Sequence, residues 1–257
     1  MQNEKINTHE ELSPSSSKST NTIVIVHGAW SSANDWHHVA GYLTSEEINL
    51  ITVNLPGHGT DETPVLDISF QLYVYEVLKA IGNATDVTLV GHSFGGIIVS
   101  EVAELIAPQI KKLIYIAAFV PKNGDSLLSL AQTDSESHVG ENLIVDEQAG
   151  VASITKEAIT DVFLADAPKP VSDYVTNNLR PEPLVPLSTS VALTDANFGK
   201  VNKVYVHSQN DHTISYSLQQ KMVKDAGILR TYSLPSSHTP FIVFPQILST
   251  IITLEAK

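Results

Sequence analysis

Between residues 22 and 26 the chain reads TIVIV, an unbroken apolar and β-branched run that His27-Gly28 ends. Continuous rather than alternating apolarity fits a strand covered on both faces, as in a parallel sheet. Further strands are expected at 48–55, 86–93, 111–120, 200–208 and 228–234. Between them the period changes. Residues 32–43 read as a helix, 69–82 place Phe70, Val74, Val77, Leu78 and Ile81 at helical spacing with Gly82 at the stop, and 94–107 end at Pro108. Two more helices are expected at 215–227 and 244–255. Strands alternating with helices imply βαβ units with right-handed crossovers, hence a mostly parallel sheet with helices on both faces.

The rhythm breaks at 124–190, where short amphipathic pieces (SLLSLAQ, ITKEAITDVFLAD) and the proline cluster RPEPLVP replace clean strands. The segment keeps apolar residues enough to pack, so an inserted helical cap is expected rather than a structureless loop. The core would then be 22–123 with 191–257. Residues 1–21, polar and serine-rich with no hydrophobic leader, read as a flexible tail.

Charge and composition narrow the function classes. Fifteen basic against 28 acidic side chains give a formal charge of −13, which disfavours a nucleic-acid partner. With no cysteine, disulfides, thiolate metal sites and cysteine nucleophiles are excluded. No apolar run reaches the roughly 18 residues of a membrane helix, so a soluble, cytoplasmic protein with no membrane partner is expected. The pattern fixes no oligomeric state.

Candidate chemistry starts at VTLVGHSFGG. Gly91-His92-Ser93-Phe94-Gly95 fits G-x-S-x-G between an expected strand and an expected helix, the context that displays a serine at the carboxyl edge of a sheet. A serine hydroxyl needs a base, and the base a carboxylate to orient it. His238, in the loop after the last expected strand, is the candidate base, with His212 as rival. Asp211, after the preceding strand, is the candidate acid, with Asp125 as alternative. Ser, Asp and His then follow the chain order expected for an α/β-hydrolase. The backbone N–H groups of Phe94 and of Ala29, in the loop after the first strand, are the expected oxyanion donors. His27 reads as a buried residue shaping that loop. Trp30, Phe119, Leu127, Leu128, Phe163 and Leu164 are expected to line an apolar substrate pocket. His207, Asp211 and His212 lack the spacing of a metal motif, so neither metal nor cofactor is expected.

Taken together, IVIVHGAW, LPGHG, LVGHSFGG, YIAAFVP, LRPEPLVPLST, VYVHSQNDHTIS and SSHTPF resemble the α/β-hydrolase superfamily, in the compact branch of hydroxynitrile lyases, plant methylesterases and bacterial pyrethroid-hydrolase-like esterases. The resemblance runs from about Thr22 to the carboxyl end. It implies Ser93 as nucleophile, His238 as base and Asp211 as its acid. Hydroxynitrile lyases of this type carry a lysine after the catalytic histidine, where this chain has Thr239, and a threonine in the oxyanion loop, which here reads His27-Gly28-Ala29. Epoxide hydrolases and haloalkane dehalogenases of the superfamily use an aspartate nucleophile, where this chain has Ser93. The resemblance therefore implies ester hydrolysis through an acyl-enzyme, and the apolar cap and rim residues point to small, largely apolar esters or lactones, with a triad-bearing receptor or a histidine-base lyase, C–C cleaving or oxygenating enzyme as the alternatives.

Overall fold

The computed structural model describes residues 21–257 apart from Glu46. The expected tail therefore lies outside the described residues, except Asn21, which opens the first strand. Six strands form one sheet: β1 (Asn21–Val26), β2 (Ile48–Val53), β3 (Val87–His92), β4 (Ile110–Ile116), and, after the insert, two more at Lys203–Ser208 and Arg230–Leu234. Three short strands come between: β5 (Leu143–Asp146), β6 (Val151–Ile154) and β7 (Glu182–Pro183), making the last two of the large sheet β8 and β9. The spatial order is β2-β1-β3-β4-β8-β9, and every adjacent pair is parallel. The chain moves outward from β1 to β2, then returns past β1 to β3. That reversal leaves a crevice at the carboxyl ends of β1 and β3, where open α/β sheets bind ligands.

Strand side chains alternate between two cores. Ile23 and Ile25 join Val90, Ile114, Val204 and Val206 on one face, covered by Trp36, Val39, Leu43, Phe241, Leu248 and Ile252. Val24 and Val26 join Leu89, Leu113 and Tyr205 on the other. The covering helices are α1 (His37–Leu43), α2 (Phe70–Ile81) and α3 (Gly95–Ile106), and at the end of the chain α9 (Tyr216–Asp225), α10 (Pro240–Val243) and α11 (Pro245–Ala256). Among the described residues no helix is long and apolar enough to cross a membrane.

The structure departs from the pattern in two places. The apolar run at 111–120 stops being a strand after Ile116, because Ala117 turns to φ +41°. Residues 117–120 stay buried as a loop, with Tyr205 Oη accepting from Ala118 N (3.0 Å) and donating to Ala118 O (2.8 Å). The segment 124–190 holds the expected helices, α4 (Leu127–Ala131), α5 (Val139–Asn142), α6 (Ile159–Leu164), α7 (Lys169–Asn178) and α8 (Leu184–Ser188), and also the antiparallel sheet β5-β6-β7. Strands of two to four residues are too short for a period to show, and β5 is mostly exposed.

Candidate active site

β3 passes into α3 through Ser93, whose φ of +52° is a left-handed value that a residue with a side chain adopts only when its surroundings hold it there. They do so by backbone bonds: Ser93 N donates to Ile116 O (3.4 Å), and Ser93 O accepts from Gly96 N (3.0 Å) and Phe119 N (3.2 Å). The turn is packed to the limit. A Cβ at Gly95 would lie 2.5 Å from the Val26 carbonyl oxygen, and one at Gly28 would lie 2.6 Å from Ser93 Cβ. Only glycines let the loop after β1 press against the serine.

Asp211 follows β8 and His238 follows β9, so both emerge at the carboxyl edge where Ser93 sits. His238 Nδ1 donates to Asp211 Oδ2 at 2.8 Å, with both side chains almost fully buried. Three more donors converge on the carboxylate: Thr213 N (2.8 Å) and Ile214 N (3.0 Å) on Oδ1, and Gln219 Nε2 (3.1 Å) on Oδ2. The main chain of His238 is held by His92 Nε2, which donates to His238 O at 2.9 Å. Burial, reinforced by the neighbouring His238, keeps the His92 imidazole well below the usual histidine range, so it stays neutral. The bond to His238 O places its proton on Nε2. Among the described residues no hydrogen bond joins Ser93 Oγ to His238 Nε2. In unliganded sites that contact is commonly open and closes with substrate.

Two backbone donors are free beside the serine. Among the described residues Ala29 N and Phe94 N make no hydrogen bond, while their neighbours are engaged, Ser31 N with Gly28 O and Trp30 N with Glu182 Oε2. The second of these was not legible in the sequence. Glu182, at the start of β7, is completely buried and accepts from Trp30 N (2.9 Å), His58 Nε2 (2.7 Å) and Tyr73 Oη (3.2 Å). Nδ1 of His58 donates to Pro56 O at 3.0 Å, so both ring nitrogens face acceptors and the imidazolium is the form that satisfies both. Burial opposes that charge, but the Glu182 carboxylate outweighs it and raises the His58 pKa. Trp30 itself has φ +59°, and its indole N–H donates to Ala152 O of β6. The loop bearing Ala29 is thus fastened to the insert at two points. LPGHG and LRPEPLVPLST contain these residues, but the motifs alone do not pair them.

The insert also holds the loops that carry Asp211 and His238. Carbonyls in the last turn of α6 accept from Thr213 Oγ1 (Val162 O, 2.7 Å) and Thr239 Oγ1 (Phe163 O, 3.0 Å). Asp166, two residues beyond α6, accepts from Ser237 N at 2.8 Å and from Ser237 Oγ.

Between insert and core lies a cleft of about 400 Å³, counted to its open mouth, lined by Trp30, Phe163, Leu164, Leu179 and Ile242 together with His92 and His238. A neighbouring cleft shares Trp30, Ser31, Asp35, Val175 and Leu179 with it and adds Asn34, Asn178 and Arg180. Phe119, Leu127 and Leu128, expected at the pocket, are not part of its wall. Phe119 sits in the core under α3, Leu127 packs against the same core, and Leu128 is 42% exposed. They belong to the loop and short helix after β4.

The rival residues are engaged elsewhere. His212 lies near the surface, bound through Nδ1 to Asp161. Asp125 accepts from Lys122 N in a turn. His27 is buried, its Nδ1 donating to Gly28 O (2.8 Å) and its Nε2 accepting from Leu55 N (3.1 Å); burial pushes its pKa down to about 3. It therefore shapes the loop as a neutral ring.

Comparison with known proteins follows the same lines. The model of the alpha/beta hydrolase family matches residues 23–246. Putative methylesterase 11 of Arabidopsis thaliana, chloroplastic, is 26% identical over 93% of this chain; the chain spans 64% of that protein. A carbendazim hydrolyzing esterase from Nocardioides sp. is 36% identical over 110 residues, 42% of this chain and 46% of that one. Among solved structures, a pyrethroid hydrolase from Sphingobium faniae superposes with a TM-score of 0.79 over 92% of this chain and 97% of that chain at 20% identity, a likeness of fold.

Proposed function

Because this chain belongs to the alpha/beta hydrolase family, we propose that it is a serine carboxylic ester hydrolase working through an acyl-enzyme on small, largely apolar esters or lactones. One observation carries the reading: Ser93 is held at a left-handed φ beside two free backbone N–H groups, on the edge where the buried Asp211–His238 pair emerges. Relatives named methylesterase and carbendazim hydrolyzing esterase support an ester substrate. The apolar cleft wall supports an uncharged one.

His238 Nε2 takes the proton of Ser93 Oγ as the oxygen attacks the ester carbonyl, and Asp211 stabilises the imidazolium that forms. The tetrahedral oxyanion takes hydrogen bonds from Ala29 N and Phe94 N, preorganised where charge develops. The tetrahedral intermediate collapses as His238 returns the proton to the departing alcohol. Water, activated by the same base, then attacks the acyl-serine and frees the acid.

The test is stopped-flow release of p-nitrophenol from short acyl esters. Sustained turnover is expected, with a loss of at least about a thousandfold in both Ser93→Ala and His238→Ala. A single burst of one product per chain would make the protein a receptor. Activity indifferent to Ser93 would make it a lyase-type base catalyst.

A further inference from the structure

We propose that His138, Asp161 and His212 form a binding site for one divalent transition-metal ion of the zinc class, separate from the ester-cleaving centre. The three side chains present imidazole, carboxylate and imidazole, a donor set that suits zinc, cobalt, nickel or copper and not magnesium or calcium. His138 Nδ1 lies 2.6 Å from Asp161 Oδ2 and His212 Nδ1 lies 3.1 Å from Asp161 Oδ1. One ligand atom from each lies within 4.8 Å of the others. The two imidazole rings lie with centroids 4.4 Å apart, tilted 36° to each other, and both Nδ1 atoms lie within hydrogen-bond distance of the same carboxylate.

Metal–ligand bonds of about 2.0–2.2 Å in a tetrahedron put neighbouring donors about 3.4 Å apart. The His212 contact is close to that value already, and the His138 contact must open by under about 1 Å. Side-chain torsion supplies this, because all three side chains are 36–53% exposed. The same exposure leaves a path for the ion and a fourth position for water.

The backbone beneath the cluster is fixed in advance. His138 N donates to His212 O at 2.8 Å, Ser137 Oγ to Thr213 O at 2.7 Å, and Asn142 Nδ2 to His138 O at 2.8 Å. The donors come from three parts of the chain: the turn before α5, α6 within the insert, and the residue after Asp211. An ion here staples the insert to the loop that carries the acid. Scattered over 74 positions of sequence, the set follows no spacing rule.

The test titrates metal-stripped full-length protein with Zn2+ by calorimetry and with Co2+ by visible absorption. One ion per chain is expected, with a low-micromolar or tighter Kd, tetrahedral Co2+ bands and a higher Tm in Zn2+. Asp161→Asn and His138→Asn, conservative changes at exposed side chains, should each weaken binding at least about tenfold and abolish the Tm gain. His37→Ala, in an adjacent surface histidine pair, should leave the stoichiometry unchanged. No binding, or binding that survives both Asn variants, overturns the proposal.

Discussion

A single carboxylate, Glu182, helps hold the loop after β1 that carries Ala29. It is buried with a histidine and a tyrosine and takes the N–H next to the one that the proposed mechanism uses. Replacing it with glutamine keeps the volume but removes the anion that charges His58. Stranding a buried partner typically costs about 3–5 kcal/mol, so Glu182→Gln should unfold in urea with a loss of that order. It should also lower kcat, since Trp30 N loses its charged acceptor. At the other end of the site, Asp211→Asn should cut kcat by about 10³–10⁴ while the fold persists, because the amide oxygen can still accept from Thr213 N and Ile214 N. The sequence exposes these two residues unequally. Asp211 stands beside a strand run, in the place where its neighbours already suggest a role. Glu182 meets its partners across 109 to 152 positions, and nothing local marks it.

Whole elements show the same division. β1 and β4 are legible because each carries at least four consecutive apolar residues, Ile23–Val26 and Leu113–Ile116, and the glycines of VTLVGHSFGG announce the turn that joins β3 to α3. Gly95→Ala tests that turn directly: the added methyl would meet the Val26 carbonyl 2.5 Å away, so a fall in Tm is expected together with loss of ester turnover. Length also explains what was not legible. β7 has only two residues, and although α6 falls in the amphipathic piece ITKEAITDVFLAD, nothing in that pattern shows that it anchors the loops that carry Asp211 and His238. The carbonyls it offers are those that the end of any helix leaves without intrahelical partners. The neighbouring Asp166 extends the same hold to Ser237, the residue before His238. Asp166→Ala is expected to lower kcat about tenfold with little change in KM, as a loosened base would.

For the molecule as a whole, buried histidines set the response to acid. His27, with a pKa near 3, and His92, held well below the usual range, stay neutral in the fold, whereas in the unfolded chain both protonate below about 6.5. The unfolded state therefore binds more protons as the pH drops, and stability falls. His58 has the opposite sign: its raised pKa contributes fully below about 6.5 and is lost as pH rises through the folded value. Denaturant melts should show a loss on the order of 2–4 kcal/mol between pH 7 and 5, and His27→Asn should flatten that slope. The hold that α6 keeps on the loops of Asp211 and His238 has a further consequence for exchanging parts. Because Thr213 and Thr239 lean on backbone carbonyls, the residues of α6 can change while its position cannot. Chimeras with a foreign insert should stay folded and gain new pocket walls only when a helix end lies where α6 now ends.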